Sequence, residues 1–292
     1  MAAAPTFPLR DAVAVITGAA GGIGAALART LAARGTHLAL VDLDTRGLDD
    51  TAAAARALGV RVSVHTADVA DRTAVAALPA EVLAAHGRVS VLVNNAGVAV
   101  GGRFVDVSAE DFDWLMSINF GGTVSMTRAF LPVLARQPAA QLVNLSSLFG
   151  LIAPPGQCAY AASKFAVRGF SEALRHELEM EDSPVGVTLV HPGGVRTGIA
   201  RNARVAAAVS PAERDEHQAE FEKLLAMPPE EAARQIADAI ERREARLLVG
   251  RDAVQGAWLQ RLMPVGYWKF AARGIARQLR RAGVPHPVSV KP

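Results

Sequence analysis

The sequence predicts an α/β fold in which about seven parallel strands form a doubly wound sheet with helices on both faces. Short apolar runs alternate with longer amphipathic runs along the 292 residues, which is typical of a parallel sheet covered on both sides. Hydrophobic residues make up 51% of the chain, enough to fill a large core. A glycine-rich turn follows the first apolar run. The alternation does not break, so we expect a single domain over residues 1–292.

Four strands and three helices are expected in the first part of the chain. Aliphatic and β-branched residues place strands at residues 12–16, 37–41, 61–65 and 90–93. Amphipathic runs place helices at residues 23–34 and 71–85, with an Ala-rich helix between them that runs through residue 58. Gly35 and Gly59 follow the first two helices, and glycine commonly ends a helix at that position.

The second part of the chain continues the alternation with longer helices. Helices are expected at residues 110–135 and 159–179, and strands at residues 141–145, 186–190 and 246–249. Residues 197–227 follow a Pro-Gly-Gly turn and mix Ala, Arg and Glu with helical spacing, so we expect a mobile flap over a substrate site. Residues 251–292 form an extension beyond the last strand.

Charge and hydropathy limit the class of protein. The formal net charge of +3 is too small to indicate a nucleic-acid partner. Charged residues, Gly or Pro interrupt every apolar run before the roughly 20 residues that a membrane span needs. Residues 1–10 lack the charged and apolar parts of a secretion signal. We therefore expect a soluble cytoplasmic protein.

The cysteine and histidine residues indicate neither a disulfide nor a metal site. Cys158 is the one cysteine, so no internal disulfide can form, and a reducing compartment is indicated. We expect a small buried thiol there, with a place in a substrate pocket as the alternative. The seven histidines show no metal-ligand spacing, so no metal is predicted.

Glycines between the first strand and the first helix form a candidate phosphate loop. Gly18, Gly22 and Gly24 permit a tight turn in which backbone N–H groups approach a phosphate closely. The helix that begins near Ile23 would direct the positive end of its dipole at that phosphate. The spacing Gly-x-x-x-Gly-x-Gly is not the common dinucleotide fingerprint, so an ordinary strand–helix turn stays open as the alternative.

Asp42 strengthens the dinucleotide interpretation. It ends the second expected strand, where a carboxylate can accept hydrogen bonds from both adenosine ribose hydroxyls. A carboxylate would repel a 2′-phosphate, and the glycine loop contains no Arg or Lys, so NAD is favoured over NADP. The alternative is that Asp42 caps the next helix, although Asp44 and Thr45 are equally good caps.

Tyr160 and Lys164 form the most informative pair. They are four residues apart in an expected helix and therefore share one face. A neighbouring cation favours a phenolate, so the pair predicts that Lys164 lowers the pKa of Tyr160 towards neutrality, where acid–base catalysis is efficient. Such a pair is common by itself, but here it follows Ser147 and shares a chain with a glycine-rich phosphate loop.

Over about residues 10–250 the chain resembles the short-chain dehydrogenase/reductase family of NAD(P)-dependent oxidoreductases. The motifs that carry the resemblance are the loop at residues 17–24, Ala67-Asp68-Val69, Asn94-Asn95-Ala96-Gly97, Ser117-Ile118-Asn119-Phe120, Ser147 with Tyr160 and Lys164, and His191-Pro192-Gly193-Gly194-Val195-Arg196-Thr197. Gly194 departs from the family pattern, and we expect it to make the Pro-Gly loop more flexible. The resemblance implies a Rossmann-like fold.

The resemblance also implies a set of cofactor-binding residues. Asp68 would contact the adenine amino group with Val69 beside the ring, and Val195 and Thr197 would hold the nicotinamide carboxamide. The full set is Gly18, Gly22, Ile23, Gly24, Asp42, Asp68, Val69, Asn95, Ala96, Gly97, Tyr160, Lys164, Pro192, Gly193, Val195 and Thr197.

Four residues are implied as catalytic: Asn119, Ser147, Tyr160 and Lys164. Tyr160 would take the hydroxyl proton while hydride leaves the carbinol carbon, and Ser147 would stabilise the substrate oxygen. Lys164 would also hold the nicotinamide ribose, and Asn119 would keep a water in a relay to solvent. Singly, each has a plainer interpretation, such as a strand-end hydroxyl for Ser147 or a helix cap for Asn119.

The expected substrate is a hydrophobic secondary alcohol or ketone. The segments at residues 98–104, 148–155 and 199–225 should wall the pocket, and the second of these is apolar. Arg196 and Arg201 leave a carboxylate-bearing substrate as the alternative. A further alternative is a scaffold that binds NAD without turnover.

The resemblance implies a homodimer or homotetramer, assembled through the helices at residues 110–135 and 159–179. Residues 251–281 carry seven basic residues against the single acid Asp252, with Trp, Tyr, Phe and Leu among them. We expect this segment to pack on its own subunit or between subunits. An interfacial membrane helix or a partner-docking helix is the alternative, although Pro264 and several glycines disfavour one long rod.

Overall fold

The structure, a computed structural model, describes residues 6–206, 211–281 and 283. This part of the chain contains nine strands: β1 (Val13–Thr17), β2 (His37–Asp42), β3 (Val62–Thr66), β4 (Val91–Asn94), β5 (Val100–Gly101), β6 (Ala140–Leu145), β7 (Val185–Pro192), β8 (Arg204–Val205) and β9 (Arg246–Val249). Each strand of the sheet expected from the sequence is present, within two residues of its expected bounds.

Ten α-helices accompany these strands: α1 (Gly22–Ala33), α2 (Thr45–Arg56), α3 (Arg72–His86), α4 (Ala109–Met116), α5 (Thr123–Leu134), α6 (Cys158–Met180), α7 (Pro211–Leu224), α8 (Pro229–Glu241), α9 (Arg251–Leu262) and α10 (Tyr267–Arg281). A π-helical turn, Ser117–Gly122, joins α4 to α5, and a 3₁₀ turn, Leu148–Gly150, precedes α6. None of the described helices is both long enough and apolar enough to cross a membrane.

Seven strands form one parallel sheet in the order β3-β2-β1-β4-β6-β7-β9. The predicted doubly wound α/β fold is therefore confirmed. The chain starts in the middle of the sheet, runs outward to β3, and then returns to build the other half from β4. The order reverses between β1 and β4, and a crevice for ligands opens at the carboxyl ends of the strands at such a point.

Two hydrophobic layers cover the sheet. On one face, Leu27 and Leu31 of α1 and Ile236 of α8 pack against strand residues such as Ile16. On the other, the buried residues come from α3, α5, α6 and the opposite side of the strands, with fully buried Phe130 at the centre. Residues in β1, β4 and β6 are buried throughout, which explains why these segments consist mostly of apolar residues.

The helix expected at residues 110–135 is present, but it is not α-helical throughout. The π-helical turn interrupts it and holds the buried Asn119, whose side chain bonds both backbone groups of Val98. Gly121 and Gly122 follow, and glycine weakens a regular helix. A Cβ at Gly122 would lie 2.6 Å from Cγ2 of Val69, so the turn also needs glycine for space.

Three elements were not identified from the sequence. Helix α8 lies where no element was assigned, and β5 pairs with β8 in a separate two-stranded sheet. The expected flap contains β8 and α7, and the C-terminal extension folds into α9 and α10. Residues 207–210 of the flap, residues 282 and 284–292 of the extension, and residues 1–5 at the start lie outside the described residues.

Candidate active site

The glycine-rich loop after β1 has the backbone that only glycine adopts easily. Gly18 and Gly22 have φ of +65° and +54°. A Cβ at Gly24 would overlap the carbonyl oxygen of Gly18 and lie 2.7 Å from Nδ2 of Asn95. That amide nitrogen donates to the carbonyl oxygens of Thr17, at 2.9 Å, and Gly18, at 3.0 Å. The start of α1 therefore packs on the first residues of the loop, and the Asn95 side chain links the loop to the end of β4.

The N-terminus of α1 is suited to a phosphate. Its cap, Gly21, offers no side-chain hydrogen bond, the first turn has no acidic residue, and a Cβ at Gly21 would meet nothing within 4 Å. A cavity of about 360 Å³ borders Ala20, Gly21, Gly22 and Thr197. Ile23 packs its side chain on the core. Free N–H groups at a helix N-terminus beside a cavity fit the pyrophosphate of a dinucleotide.

Asp42 stands at the end of β2 beside the loop. Its Oδ2 accepts the Ala20 N–H at 2.9 Å, and its Oδ1 accepts those of Leu43, at 2.7 Å, and Asp44, at 3.1 Å. Three of about four acceptor positions are used, so one stays open to a ribose hydroxyl. Asp44 caps α2 by accepting the Gly47 N–H, so the capping interpretation of Asp42 is wrong.

The segment after β3 lies next to the same crevice. Asp68 accepts the N–H of Ala70 at 2.8 Å, which turns the chain, and Val69 is buried against Gly122. Asp68 itself is only partly buried. A partly exposed carboxylate beside an apolar side chain suits the adenine contact that the family resemblance implies.

The residues after β4 form the floor of the crevice. The hydroxyl oxygen of Thr17 accepts the N–H groups of Asn95 and Ala96, each at 3.0 Å, so the ends of β1 and β4 are joined. A Cβ at Gly97 would lie 3.4 Å from Nζ of Lys164. Gly97 therefore lets the floor come close to the ammonium group.

Ser147, Tyr160 and Lys164 meet at the carboxyl end of β6. Ser147 accepts the N–H of Phe149 at 3.1 Å and hydrogen-bonds the phenol of Tyr160. Nζ of Lys164 lies 5.7 Å from the centroid of the Tyr160 ring and donates to the carbonyl oxygen of Leu145 at 3.1 Å. The structure thus brings three of the four residues implied as catalytic into one cluster.

The prediction that Lys164 lowers the pKa of Tyr160 towards neutrality is wrong for the protein without a ligand. Burial raises the pKa of Tyr160 to about 12, and the hydrogen bond from Ser147 only partly opposes this. Burial also lowers the pKa of Lys164 to about 8. The Lys164 ammonium, which donates to the Leu145 carbonyl oxygen, does not offset this loss of hydration. Without a ligand Tyr160 is therefore a protonated phenol.

Asn119, the fourth residue, is fully buried beside this cluster. Its Nδ2 donates to the carbonyl oxygen of Val98, at 3.0 Å, and to the Ser163 hydroxyl, at 3.1 Å, while its Oδ1 accepts the Val98 N–H at 2.8 Å. One amide hydrogen therefore holds the loop after β4, and the other is bonded to α6. Only an oxygen lone pair remains for the relay water implied by the resemblance.

The Pro-Gly-Gly loop after Pro192 is held on several sides. Gly193 donates to the Val249 carbonyl oxygen at 2.9 Å, and Gly194 donates to Oδ2 of Asp252 at 2.6 Å. A Cβ at Gly194 would lie 2.5 Å from the Leu224 carbonyl oxygen, so glycine is needed there for space. Both the N–H and the C=O of Gly194 are bonded, and these hydrogen bonds oppose the flexibility expected from this glycine.

The same loop carries Val195 and Thr197 to the phosphate loop. Val195 is buried, and Arg196 donates its N–H to the Met227 carbonyl oxygen at 2.8 Å. A Cβ at Gly22 would lie 3.2 Å from Cβ of Thr197. Thr197 therefore stands beside the N-terminus of α1, where it can reach a ligand that the glycine loop holds.

His191 is a contributor that the sequence analysis overlooked. It is fully buried, and its Nδ1 lies 2.9 Å from the carbonyl oxygen of Ser147, so Nδ1 must carry the hydrogen. Burial lowers the pKa of His191 to about 4, which keeps the ring neutral. The neutral ring holds the backbone of Ser147 in position. In the sequence, the only signal was a histidine directly before the Pro-Gly turn.

His191 predicts a loss of stability in mild acid. Below pH 6.5 the unfolded chain binds a proton on this side chain that the folded chain does not bind, so the free energy of unfolding falls as the pH drops from 6.5 to about 4. The total is about 3 kcal/mol. Urea unfolding between pH 7 and pH 4 should show a shallower loss in His191→Asn. The exposed-site variant His176→Asn should keep the wild-type slope, and equal slopes in all three proteins would contradict the assignment.

The apolar segment at residues 148–155 lies against Tyr160. The Phe149 ring packs edge-on to the Tyr160 ring, with centroids 6.1 Å apart, and Leu151 and Ile152 are buried. Cys158 is exposed, so the expectation of a buried thiol is wrong. It occupies the first turn of α6, where its side chain faces outward.

The two arginines considered for substrate recognition lie elsewhere. Arg196 and Arg201 border the cavity at the glycine loop and not the apolar segment at residues 148–155. The C-terminal helices reach that segment instead. A Cβ at Gly256 would lie 2.5 Å from Cδ1 of Leu148, and the Ala153 N–H donates to the Tyr267 hydroxyl at 2.8 Å.

Comparison with known proteins identifies relatives over nearly the whole chain. The short chain dehydrogenase family model matches residues 12–208. SadH of Mycobacterium tuberculosis is 45% identical over 267 residues, which cover 91% of this chain and 95% of SadH. These matches include the glycine loop and the cluster of Ser147, Tyr160 and Lys164.

Solved structures agree with the sequence comparison. A short-chain dehydrogenase/reductase from Burkholderia phymatum in complex with NAD has a TM-score of 0.82 at 33% identity, covering 88% of this chain and 95% of that one. A metagenomic short-chain oxidoreductase in complex with NADP has a TM-score of 0.67 at 30% identity, covering 83% of this chain and 98% of that one. Both nicotinamide cofactors thus occur among similar structures.

Proposed function

The chain belongs to the short-chain dehydrogenase/reductase family, an oxidoreductase family with an NAD(P)-binding fold, and from this we propose that it interconverts a hydrophobic secondary alcohol and its ketone with NAD. The observation that carries the proposal is the cluster of Ser147, Tyr160 and Lys164 at the same sheet edge as the glycine loop. The glycine loop on one side of the crevice suits a dinucleotide. On the other side, Tyr160 is a proton donor that lies beside the apolar segment at residues 148–155.

The residues around the crevice fit the cofactor. The glycine loop, Asp42, Val69 and Thr197 would hold it, and Lys164 has further N–H donors for its ribose. Bound NAD supplies the hydride acceptor and, in the oxidised state, a positive charge in the crevice. A positive charge favours the phenolate form of Tyr160, and the chain by itself does not stabilise that form.

The chain without ligand is prepared for the acid step. Tyr160 carries its proton at neutral pH, and the Ser147 hydroxyl is within hydrogen-bond reach of the phenol. A ketone oxygen between these hydroxyls would receive a proton from Tyr160 and a hydrogen bond from Ser147. Lys164, with a pKa of about 8, is mostly charged at pH 7, so an ammonium group lies 5.7 Å from the centre of the phenol ring when that proton leaves.

The proposed substrate class follows from the surroundings of Tyr160. Phe149 packs on its ring, and Val98 packs against the same buried cluster as Tyr160. Arg196 and Arg201 border the glycine loop instead. An apolar wall favours a hydrophobic alcohol or ketone over a hydroxy acid, because a carboxylate would lose its hydration without gaining a partner.

The screen that tests the proposal follows NADH absorbance. The full chain is given NAD or NADP with a panel of hydrophobic secondary alcohols, and NADH or NADPH with the matching ketones. Turnover of the apolar substrates and none of small hydroxy acids supports the proposal. Tight NAD binding with no turnover across the panel would favour a non-catalytic scaffold instead.

Asp42 predicts the preference for NAD. We expect kcat/KM with NAD to exceed that with NADP by at least tenfold, because the carboxylate repels a 2′-phosphate. Asp42→Asn removes the charge at nearly constant shape and should reduce the ratio by about tenfold, or about 1.4 kcal/mol. Asp44→Asn, two residues away at the cap of α2, is the control and should leave the ratio unchanged. A wild-type preference for NADP would refute the assignment.

A further inference from the structure

The outward side of α9 carries a row of apolar side chains. Val254, Trp258 and Leu262 are spaced by four residues and therefore share one face of the helix. All three are exposed, Trp258 by 59% and Leu262 by 73%. Val265, in the turn after α9, is 94% exposed, and Phe270 in α10 is 51% exposed. We refer to these five residues as the C-terminal apolar stripe.

The same two helices carry many basic side chains. Seven of them lie in α9 and α10 and are all exposed: Arg251, Arg261, Lys269, Arg273, Arg277, Arg280 and Arg281. Residues 253–281 contain no Asp or Glu, and Asp252 is used by Gly194. Among the described residues none of these seven forms a salt bridge, and the Arg273 guanidinium lies 5.8 Å from the Phe270 ring.

The opposite sides of the two helices are attached to the protein. Leu279 of α10 is fully buried, and α10 contacts both α9 and α7. Ala253 of α9 is also fully buried. The helices are therefore fixed by their inner sides, while the apolar stripe and the basic residues face outward on a preformed surface.

This surface adjoins the apolar segment at residues 148–155. The hydroxyl of Tyr267 accepts the N–H of Ala153, and Gly256 packs on Leu148. At the other end of the segment, Gly102 donates to the carbonyl oxygen of Gly156. The exposed helices thus stand at the rim of the crevice and not on the far side of the molecule.

We propose that α9 and α10 dock this outward surface on a lipid bilayer that contains anionic headgroups. Trp and Leu side chains at the boundary between headgroups and acyl chains, with Lys and Arg around them, are the composition of an interfacial helix. The cations complement the negative surface potential of such a bilayer. A second copy of the chain is disfavoured as the occupant, because two such basic surfaces would repel each other. The proposal stands on this surface alone and does not depend on the proposed reaction.

Co-sedimentation with vesicles tests the proposal on the full-length chain. We expect the protein to sediment with vesicles of phosphatidylcholine and phosphatidylserine, much less with phosphatidylcholine alone, and progressively less as salt is raised. If the wild-type protein stays in the supernatant with both vesicle types at low salt, the proposal is overturned.

Two pairs of variants identify the contributing side chains. Trp258→Ser with Leu262→Ser should reduce the partition coefficient at least tenfold, whereas Leu58→Ser with Met180→Ser, which removes equally exposed apolar side chains elsewhere, should not. Arg273→Gln with Arg277→Gln should reduce it about 25-fold, at about fivefold for each cation. The control, Arg72→Gln with Arg136→Gln, removes the same charge from other exposed positions.

The outcomes separate a membrane surface from an interface between copies. Loss of binding in both stripe and basic variants, with unchanged oligomeric state and thermal unfolding, supports the proposal. Equal loss in the control variants would mean that binding is a general charge effect and would overturn it. A change of oligomeric state in Trp258→Ser with Leu262→Ser, without vesicle binding by the wild type, would also overturn it.

Discussion

Replacing Tyr160 with Phe is expected to lower kcat by about 10²- to 10⁴-fold. The substitution removes only the hydroxyl, which is the group proposed to exchange a proton with the substrate. The ring keeps its edge-on contact with Phe149 and its place on α6, so the fold and the crevice should persist. NADH binding, measured by fluorescence titration, should change little. Single-turnover rates of ketone reduction give the most direct reading of the lost proton donor.

Tyr267→Phe provides the matched control. The chain has two tyrosines, and the Tyr267 hydroxyl accepts a hydrogen bond from Ala153 at the rim of the crevice. Its loss should cost one hydrogen bond, about 1 kcal/mol of stability, and leave kcat within a few-fold of wild type. If Tyr160→Phe retains more than about a tenth of the wild-type rate, the acid–base role is wrong.

Replacing Gly24 with Ala is expected to destabilise the free protein and to abolish measurable NAD binding. The new methyl group would overlap the carbonyl oxygen of Gly18 and press on the Asn95 amide, and neither can rotate away. Overpacking of this kind costs about 1–3 kcal/mol or more, which exceeds the gain in helix propensity of about 1 kcal/mol. The shift of Gly18 would also distort the backbone that approaches the phosphate.

Gly21→Ala separates steric overlap from a general effect of alanine in the loop. Gly21 has an extended backbone, with φ of −160°, and a Cβ there would meet nothing within 4 Å. The midpoint of thermal unfolding without cofactor should therefore stay at the wild-type value in Gly21→Ala and fall by several degrees in Gly24→Ala. Equal midpoints for the two variants would contradict the packing described for the loop.

The parts of the fold that local pattern determines were predictable. The central strands of the main sheet are buried on both faces and are therefore rich in apolar residues, and Gly18, Gly22 and Asp42 lie where the strand–helix alternation places them. The π-helical turn was not predictable, because Asn119 is drawn inward by the backbone of Val98, which is distant in sequence. Helix α8 was overlooked, although Pro229 at its start and two following glutamates are a helix-start signal.

The electrostatics of the site depend on burial, which the sequence does not show. Spacing correctly placed Tyr160 and Lys164 on one helix, but burial raises the pKa of the phenol. The contact of His191 with Ser147 joins the ends of two strands that are adjacent only in the folded sheet. Cys158 is exposed although cysteine is commonly buried, because the first turn of α6 faces outward there.

The hydrogen bond between Asp252 and Gly194 decides where the minimal folded unit ends. A chain cut after Gly250 would keep all seven sheet strands, yet the amide of Gly194 would lose its acceptor and the carboxylate that fills the space beside Gly193 would be gone. The last strand is therefore not the natural boundary for trimming this protein. The first turn of α9 belongs to the catalytic framework, although it lies beyond the sheet.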